Sequence, residues 1–344
     1  LIYLSAQHPG TTGEQPPKDL NAMTQFTPSA MKYRDSTAGF PKGWYCVAES
    51  GQVPENTIFP ATYLDNDIVI FRDAEGIARV ADAYCPHLGA HLASHDGRND
   101  HGTLVCPFHK WAFDGATGRC KSIPYTAVTP PVGLKMHPTR EVNETILMWY
   151  SPAGAPPDFE PFDMAVFEFP EKWIKVVEKE FVSTAPYRDL FENLFDTAHV
   201  QQLHHSVMQP DIATMDRTDY GMRVVFVPPG EGEAVQMKHL ENNFIGTTMC
   251  ARLIDGGSFA MKSLTSATPI DHERFQFRTR LYLRDMGSDA ANDQIGKMFA
   301  ERVSQEIDQD FKVLNFKRHL ERPALCAGDG PILKFRAFQQ EYYA

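Results

Sequence analysis

The 344-residue sequence has little that would direct it to a membrane, to nucleic acid or to the outside of a cell. No apolar run approaches the roughly 18 residues that a membrane-spanning helix needs. The opening Leu1 to Leu4 is far too short for a signal-peptide core. Basic residues are in deficit. Against 44 Asp and Glu stand 33 Lys and Arg, a net charge of −11, which argues against the basic footprint of a nucleic-acid binder and against attraction to an anionic bilayer. Cysteine is sparse. Cys46, Cys85, Cys106, Cys120, Cys250 and Cys326 are scattered through a long chain, unlike a small secreted disulfide scaffold, so a reducing, cytoplasmic setting is expected. A Gly-x-Gly-x-x-Gly run is missing, and so is Cys-x4-Cys-x2-Cys. The chain therefore carries no dinucleotide fingerprint and no plant-type ferredoxin cluster of its own.

What is present divides into parts. The length suggests two domains, and 42% hydrophobic residues can supply a core to each. Residues 1–36, rich in Gly, Pro, Thr and Gln without a period, read as an N-terminal tail, with Met23 and Met31 as candidate natural starts. From Phe40 to Tyr150 short β runs such as Asp67–Phe71 and Ile146–Tyr150 alternate with Gly- and Asp-rich turns, which predicts an all-β domain over 37–155. Pro152 to Pro170 has the proline density of a linker. The remainder, 156–344, is mixed. Thr184–Gln202 and Glu301–Leu320 read as helices, and Met222–Val227, Met237–Leu240, Phe259–Leu264 and Phe275–Leu283 as strands. Helices with consecutive strands, lacking strict βαβ alternation, predict an α+β domain around an antiparallel sheet.

Two constellations carry chemistry. In the first, Cys85-Pro86-His87 is followed by Cys106-Pro107-Phe108-His109. Two thiolates and two imidazoles on a pair of loops suit a two-iron, two-sulfur cluster, in which replacing two thiolates by neutral imidazoles raises the potential. The same four donors also suit a structural zinc. His91 reads as a surface or supporting histidine, Cys120 as a small packed side chain, His101 as part of a polar turn, and Trp111 and Phe113 as cover for the loop.

In the second, Glu192, Asp196 and His199 recur at i, i+4 and i+7, one face of a helix. A solvated acidic face would give the same pattern. His199 and His204 are five residues apart, about 140° round a regular helix, so both reach one metal only if the helix ends between them. The residues alone leave His204 and His205 both open. A facial site of two histidines also needs a carboxylate. On the late helix Val303, Ile307, Phe311 and Leu314 mark the buried stripe. Asp310 falls within about 50° of its centre, Glu306 on the flank and Asp308 opposite. A carboxylate aimed into a core is costly unless something binds it, which selects Asp310.

Cys85-Pro-His-Leu-Gly-Ala-His-Leu92, Cys106-Pro-Phe-His-Lys-Trp-Ala-Phe-Asp-Gly115 and Asp196-x2-His199-x4-His204 together resemble the Rieske non-haem iron oxygenases. Gln309 through Lys317, Gly328-Asp-Gly-Pro331 and the aromatic-rich end resemble the 3-ketosteroid 9α-hydroxylase oxygenases within them. Leu88 departs from the arginine many members carry. The resemblance implies Cys85, His87, Cys106 and His109 as ligands of a [2Fe-2S] cluster, and His199, His204 and Asp310 as ligands of Fe(II). It implies a helix-grip catalytic domain and O2-dependent oxidation, with electrons from a separate NAD(P)H-dependent reductase or ferredoxin. It implies a head-to-tail homotrimer in which Asp196 bridges to His109 or His87 of the neighbour. By its position Asp196 is also expected to accept a hydrogen bond from the ring of His199 or His204. With no Arg/Lys cluster in its second half, the chain is expected to take a bulky, apolar ring compound, by hydroxylation or else demethylation or desaturation. The rival readings are a zinc-stabilised lipid-binding protein and a Rieske electron carrier with a dead second site.

Overall fold

The computed structural model describes residues 39–167, 172–206, 210–228 and 237–343; the expected tail, 1–36, lies outside them. The first half is built from three small antiparallel sheets. Strands β1 (Gly43–Glu49), β10 (Thr139–Val142) and β11 (Thr145–Tyr150) form one, in the order β1-β11-β10. A second holds β2 (Ile58–Tyr63), β3 (Asn66–Arg72), β4 (Ala78–Asp82) and β9 (Met136–His137), in sequence order. The third is a meander of three-residue strands, β5 (Arg98–Asp100), β6 (Thr103–Val105), β7 (Ala112–Asp114) and β8 (Cys120–Ser122). Strand alternation explains the layering: Ile68 and Ile70 of β3 face a core with Tyr45 and Val47, while Val69 and Phe71 face a second core with Cys85, Cys106 and Phe113.

The second half opens with β12 (Trp173–Ser183), followed by two short helices, α1 (Tyr187–Glu192) and α2 (Thr197–Gln202). Then come β13 (Ile212–Thr218), β14 (Gly221–Phe226), β15 (His239–Ile245), β16 (Met249–Asp255), β17 (Ala260–Pro269) and β18 (Phe275–Arg284). They meander back until β18 pairs with β12, closing a seven-stranded antiparallel sheet, β12-β18-β17-β16-β15-β14-β13. Helix α3 (Asp289–Leu314) lies against this sheet, burying Phe299, Phe311 and Leu314, and α4 (Ile332–Gln340) adds Phe335 and Phe338 to the same core. At Gly296 of α3 a Cβ would stand 2.9 Å from Val176 Cγ1, so the absent side chain lets helix and strand approach.

Three sequence expectations change here. The helix expected over Thr184–Gln202 is two helices with a break at 193–196. The helix expected over Glu301–Leu320 begins at Asp289, capped by Ser288, and ends at Leu314; Asn292, Asp293 and Gly296 are weak helix formers that hid its first half. Strands β12, β13 and β16 were not anticipated.

The proline-rich segment is also more than a linker. Phe162, Met164 and Phe167 are buried between the halves, with Trp44 and Trp149 on one side and Ile245, Met249 and Leu253 on the other. Strand β1 is an edge strand of its sheet, and side chains of the large sheet close that edge. Thr248 Oγ1 donates to the Trp44 carbonyl, and Thr268 Oγ1 (2.7 Å) and Arg278 Nη1 (3.2 Å) donate to that of Cys46. An edge strand offers unpaired carbonyls, and here they are satisfied across the seam.

Candidate metal centres and substrate cavity

The two Cys/His loops are near copies of one turn. Gly89 N donates to the Cys85 carbonyl (2.9 Å) and Cys85 N to that of Ala90 (2.9 Å); Lys110 N donates to Cys106 (3.2 Å) and Cys106 N to Trp111 (2.9 Å). Each turn closes on a left-handed residue, Gly89 at φ +72° and Lys110 at φ +57°. Only the first is the glycine that conformation favours. Lys110 is tied down instead by Nζ bonds to the Pro107 carbonyl (2.9 Å) and to Asp96.

Cys85 and Cys106 are buried and unpaired, while His87 and His109 are half-buried, with ring centroids 4.7 Å apart. The sulfurs thus lie inside and the imidazoles toward the surface. Burial pushes the Cys85 thiol up to about 11, and the neighbouring Cys106 adds to this. Two buried thiols side by side fit a group that binds them as thiolates. Two thiols inside and two imidazoles outside, presented by paired loops, suit the mixed ligation of a two-iron core. Trp111 stacks on His87 (4.4 Å, 11°) and gives its N–H to Tyr125 Oη (2.7 Å). Phe113 is fully buried beneath, and Leu88, Phe108 and Tyr125 leave an exposed apolar rim. His91 accepts from Ala93 N through Nδ1, Cys120 packs at the edge of the core, and His101 is exposed in its turn.

The close donor set is His199, His204 and Asp310. Asp310 Oδ1 lies 3.2 Å from His204 Nε2 and 3.9 Å from His199 Nε2, yet it is buried without a well-formed hydrogen bond. An orphaned carboxylate oxygen facing two imidazole nitrogens fits a divalent cation. Helix α2 ends at Gln202, and His204 follows the Leu203 cap, which brings the two imidazoles together with centroids 5.1 Å apart. His205 takes φ +53° and is exposed. Asp308 is also exposed and pairs with Lys179; Glu306 is buried and pairs with Arg302 (2.6 Å).

Each imidazole is fixed through its other nitrogen. His199 Nδ1 bonds the Asp196 carbonyl oxygen, and His204 Nδ1 lies 2.9 Å from Gln309 Oε1. Burial holds His199 below the usual histidine range. Burial also opposes charging of His204, but Asp310 and Gln309 outweigh it and raise that ring.

The Asp196 carboxylate behaves differently from expectation. It reaches neither ring. It caps α2, accepting from the His199 backbone N–H (3.4 Å), and the ring bond comes from its main chain. The i, i+4, i+7 face fails as well, because Glu192 belongs to α1 and points to Arg336 (2.5 Å) and Lys317 (3.4 Å). Buried Asp189 likewise pairs with His319 and Lys317. These acids are neither a solvated face nor metal donors. The break itself is held from the C-terminal segment. Phe195 stacks on Phe335 (4.4 Å), and a Cβ on Gly330, at φ +75°, would meet the Phe195 carbonyl at 2.3 Å.

Beside the triad opens a cavity with about 1040 Å³ of empty space including its mouth. Phe191, Leu194, Ile254, Met261, Phe277 and Ile307 are among its walls, and Arg252, Ser263 and Asn193 contribute polar groups. Sequence reasoning had missed Gln309, Asn193 and Arg252. Gln309 stands about 155° round α3 from the centre of the apolar stripe, so the helical phase that selected Asp310 gave no hint of it.

Comparisons with known proteins fit this geometry. The profile of the Rieske [2Fe-2S] domain matches residues 43–138, and that of the 3-ketosteroid 9alpha-hydroxylase C-terminal domain matches residues 148–343. A 3-ketosteroid-9-alpha-monooxygenase oxygenase component from Rhodococcus rhodochrous is 24% identical over 88% of this chain and 84% of its own. A cholesterol 7-desaturase from Ciona intestinalis is 26% identical over 88% of this chain and 69% of its own. The crystal structure of dicamba monooxygenase bound to dicamba superposes with a TM-score of 0.69 at 19% identity, covering 87% of this chain and 96% of that one.

Proposed function

The chain belongs to the Rieske non-haem iron oxygenases, in the family of the 3-ketosteroid 9alpha-hydroxylase C-terminal domain, and on that premise we propose that its cavity takes a bulky, largely apolar ring compound for O2-dependent hydroxylation. The observation that carries the proposal is the meeting of His199, His204 and Asp310 beside a large cavity with apolar walls. In this reading Cys85, His87, Cys106 and His109 hold the [2Fe-2S] cluster, and His199, His204 and Asp310 hold Fe(II). When bound, the cluster supplies electrons singly and the iron supplies a site for dioxygen beside the substrate. The part of the chain itself is positional. The Asp196 carbonyl and Gln309 fix the two imidazoles, α3 brings in the third donor, and the aromatic and aliphatic walls exclude water and orient a ring.

Residues 37–155 form the Rieske domain of the proposal and 156–344 the catalytic domain; its support is that β11, ending at Tyr150, completes the sheet of β1. With no dinucleotide fingerprint in the sequence, the electrons come from a separate NAD(P)H-dependent reductase or ferredoxin. A homotrimer in which Asp196 meets His109 or His87 of the next subunit has support from two apolar surfaces. Leu88, Phe108 and Tyr125 are exposed at the cluster tip, and Leu320 and Leu325 are exposed in the groove that Asp196 lines. Six unpaired cysteines suit a cytoplasmic setting, and no helix among the described residues is long and apolar enough to cross a membrane. Desaturation makes the same demands on the site, and the cholesterol 7-desaturase relative makes it the second reading.

The test is turnover with a surrogate reductase, NADH and oxygen over a panel of steroids, polycycles and small zwitterions, scored by product mass and 18O incorporation. Oxidation of ring compounds is expected. Efficient turnover of zwitterions with none of the ring compounds would overturn the reading.

A further inference from the structure

The cavity-facing side of the large sheet carries two polar rows among apolar ones. In one, Cys250, Thr265 and Thr279 are register partners, and the two threonine hydroxyls satisfy each other at 2.9 Å. In the other, Asn242 of β15, Arg252 of β16 and Ser263 of β17 stand side by side, with Val224 and Leu281 at the ends of the row. Arg252 Nε donates to Asn242 Oδ1 at 2.7 Å, which fixes the plane of the guanidinium. Its two terminal nitrogens have neither an acceptor nor an ion-pair partner among the described residues. Asn242 is fully buried, and its Nδ2 likewise lacks a partner among them.

The other charges around the cavity are engaged. Glu306 is bound by Arg302, and Asp310 faces the two histidines. Lys179 pairs with Asp308. Lys262 also borders the cavity, but its Nζ lies over the Trp173 ring at 4.8 Å. Arg252 is thus a cation held in place, partly withdrawn from water and lacking a counter-ion in a cavity whose walls are otherwise suited to a ring. Such a charge gains most from a counter-ion once a ring has displaced the water around it.

We propose that Arg252, braced by Asn242 and flanked by Ser263, is a specificity determinant that receives a carboxylate carried on the ring compound. This rests on the substrate reading of the cavity and narrows it, from a neutral apolar ring to a ring acid. A planar guanidinium can offer a carboxylate two parallel N–H donors, and Ser263 can add a hydroxyl. One arginine on one strand makes no cluster, so this role was not visible along the chain.

The test compares 1-pyrenebutyrate with its methyl ester, two probes that share ring and length and differ in charge. Binding to the holoenzyme is followed by pyrene fluorescence in wild type, Arg252→Met, Arg252→Lys and Ser263→Ala. The acid is expected to bind wild type about 10- to 100-fold more tightly than the ester, as a charge-assisted hydrogen-bonded pair allows. Arg252→Met should abolish that preference and leave ester binding within about twofold, while Arg252→Lys keeps part of it. Circular dichroism and the cluster spectrum report whether each variant is folded. Equal binding of acid and ester by wild type, or a preference that survives Arg252→Met, would overturn the inference and leave the ring-binding reading standing. Failure of both probes to bind would overturn the two together.

Discussion

Helix α3 meets both ring nitrogens of His204 through two consecutive residues: Gln309 Oε1 lies 2.9 Å from Nδ1, and Asp310 Oδ1 lies 3.2 Å from Nε2. An amide oxygen accepts only, so Nδ1 is the nitrogen that donates to Gln309, and Nε2, facing Asp310, is the one that would bind a metal. Gln309→Leu should therefore weaken iron retention about 10- to 100-fold, the usual effect of losing such a supporting contact. Chelator competition measures this, with the cluster absorption as an internal control. Unchanged retention would mean that packing alone orients the ring.

His199→Ala, His204→Ala and Asp310→Ala should each lose the mononuclear iron and leave the cluster spectrum intact. His205→Ala and Asp308→Ala should keep it, since both side chains are exposed. Iron counted against acid-labile sulfide separates the two sites. Loss in the His205 variant with retention in the His204 variant would reverse the assignment.

Cys85→Ser and His109→Ala should abolish the Rieske electron paramagnetic resonance signal. The spare thiol that packs against the same core, Cys120, lies on β8 and is only partly buried at its edge. A native spectrum from either variant would refute the ligand set.

Asp196→Asn separates charge from shape. Asparagine caps a helix as well as aspartate does, so α2 and the carbonyl bond to His199 should persist. Cluster and most of the iron should remain while turnover falls by orders of magnitude if the carboxylate bridges subunits. A loss of turnover below about twofold, or a fully active monomer, would reduce Asp196 to a helix cap.

The cluster loops were legible because their donors are sequence neighbours and the turns that present them are local. Asp310 was legible because α3 has a regular apolar stripe, and the phase of a helix can be read from such a stripe. The break between α1 and α2 was hidden: Phe191, Leu194, Phe195 and Ala198 read as one continuous helix face. What interrupts them is contact with Gly330 and Phe335, far along the chain. Arg252 was hidden for a related reason, since its partners across the row lie on two other strands.

The closed edge of β1 bears on how the molecule moves. A swing of one half against the other would strip hydrogen bonds from the carbonyls of Trp44 and Cys46 and open an indole-rich seam to water. Each exposed group carries its own penalty, which resists such a swing. Within one polypeptide the span from the Cys/His loops to His199, His204 and Asp310 is then held, like the gap of a caliper. In the proposed enzyme, gating of electron flow would then fall to substrate, to the metal surroundings, or to the arrival and departure of another protein.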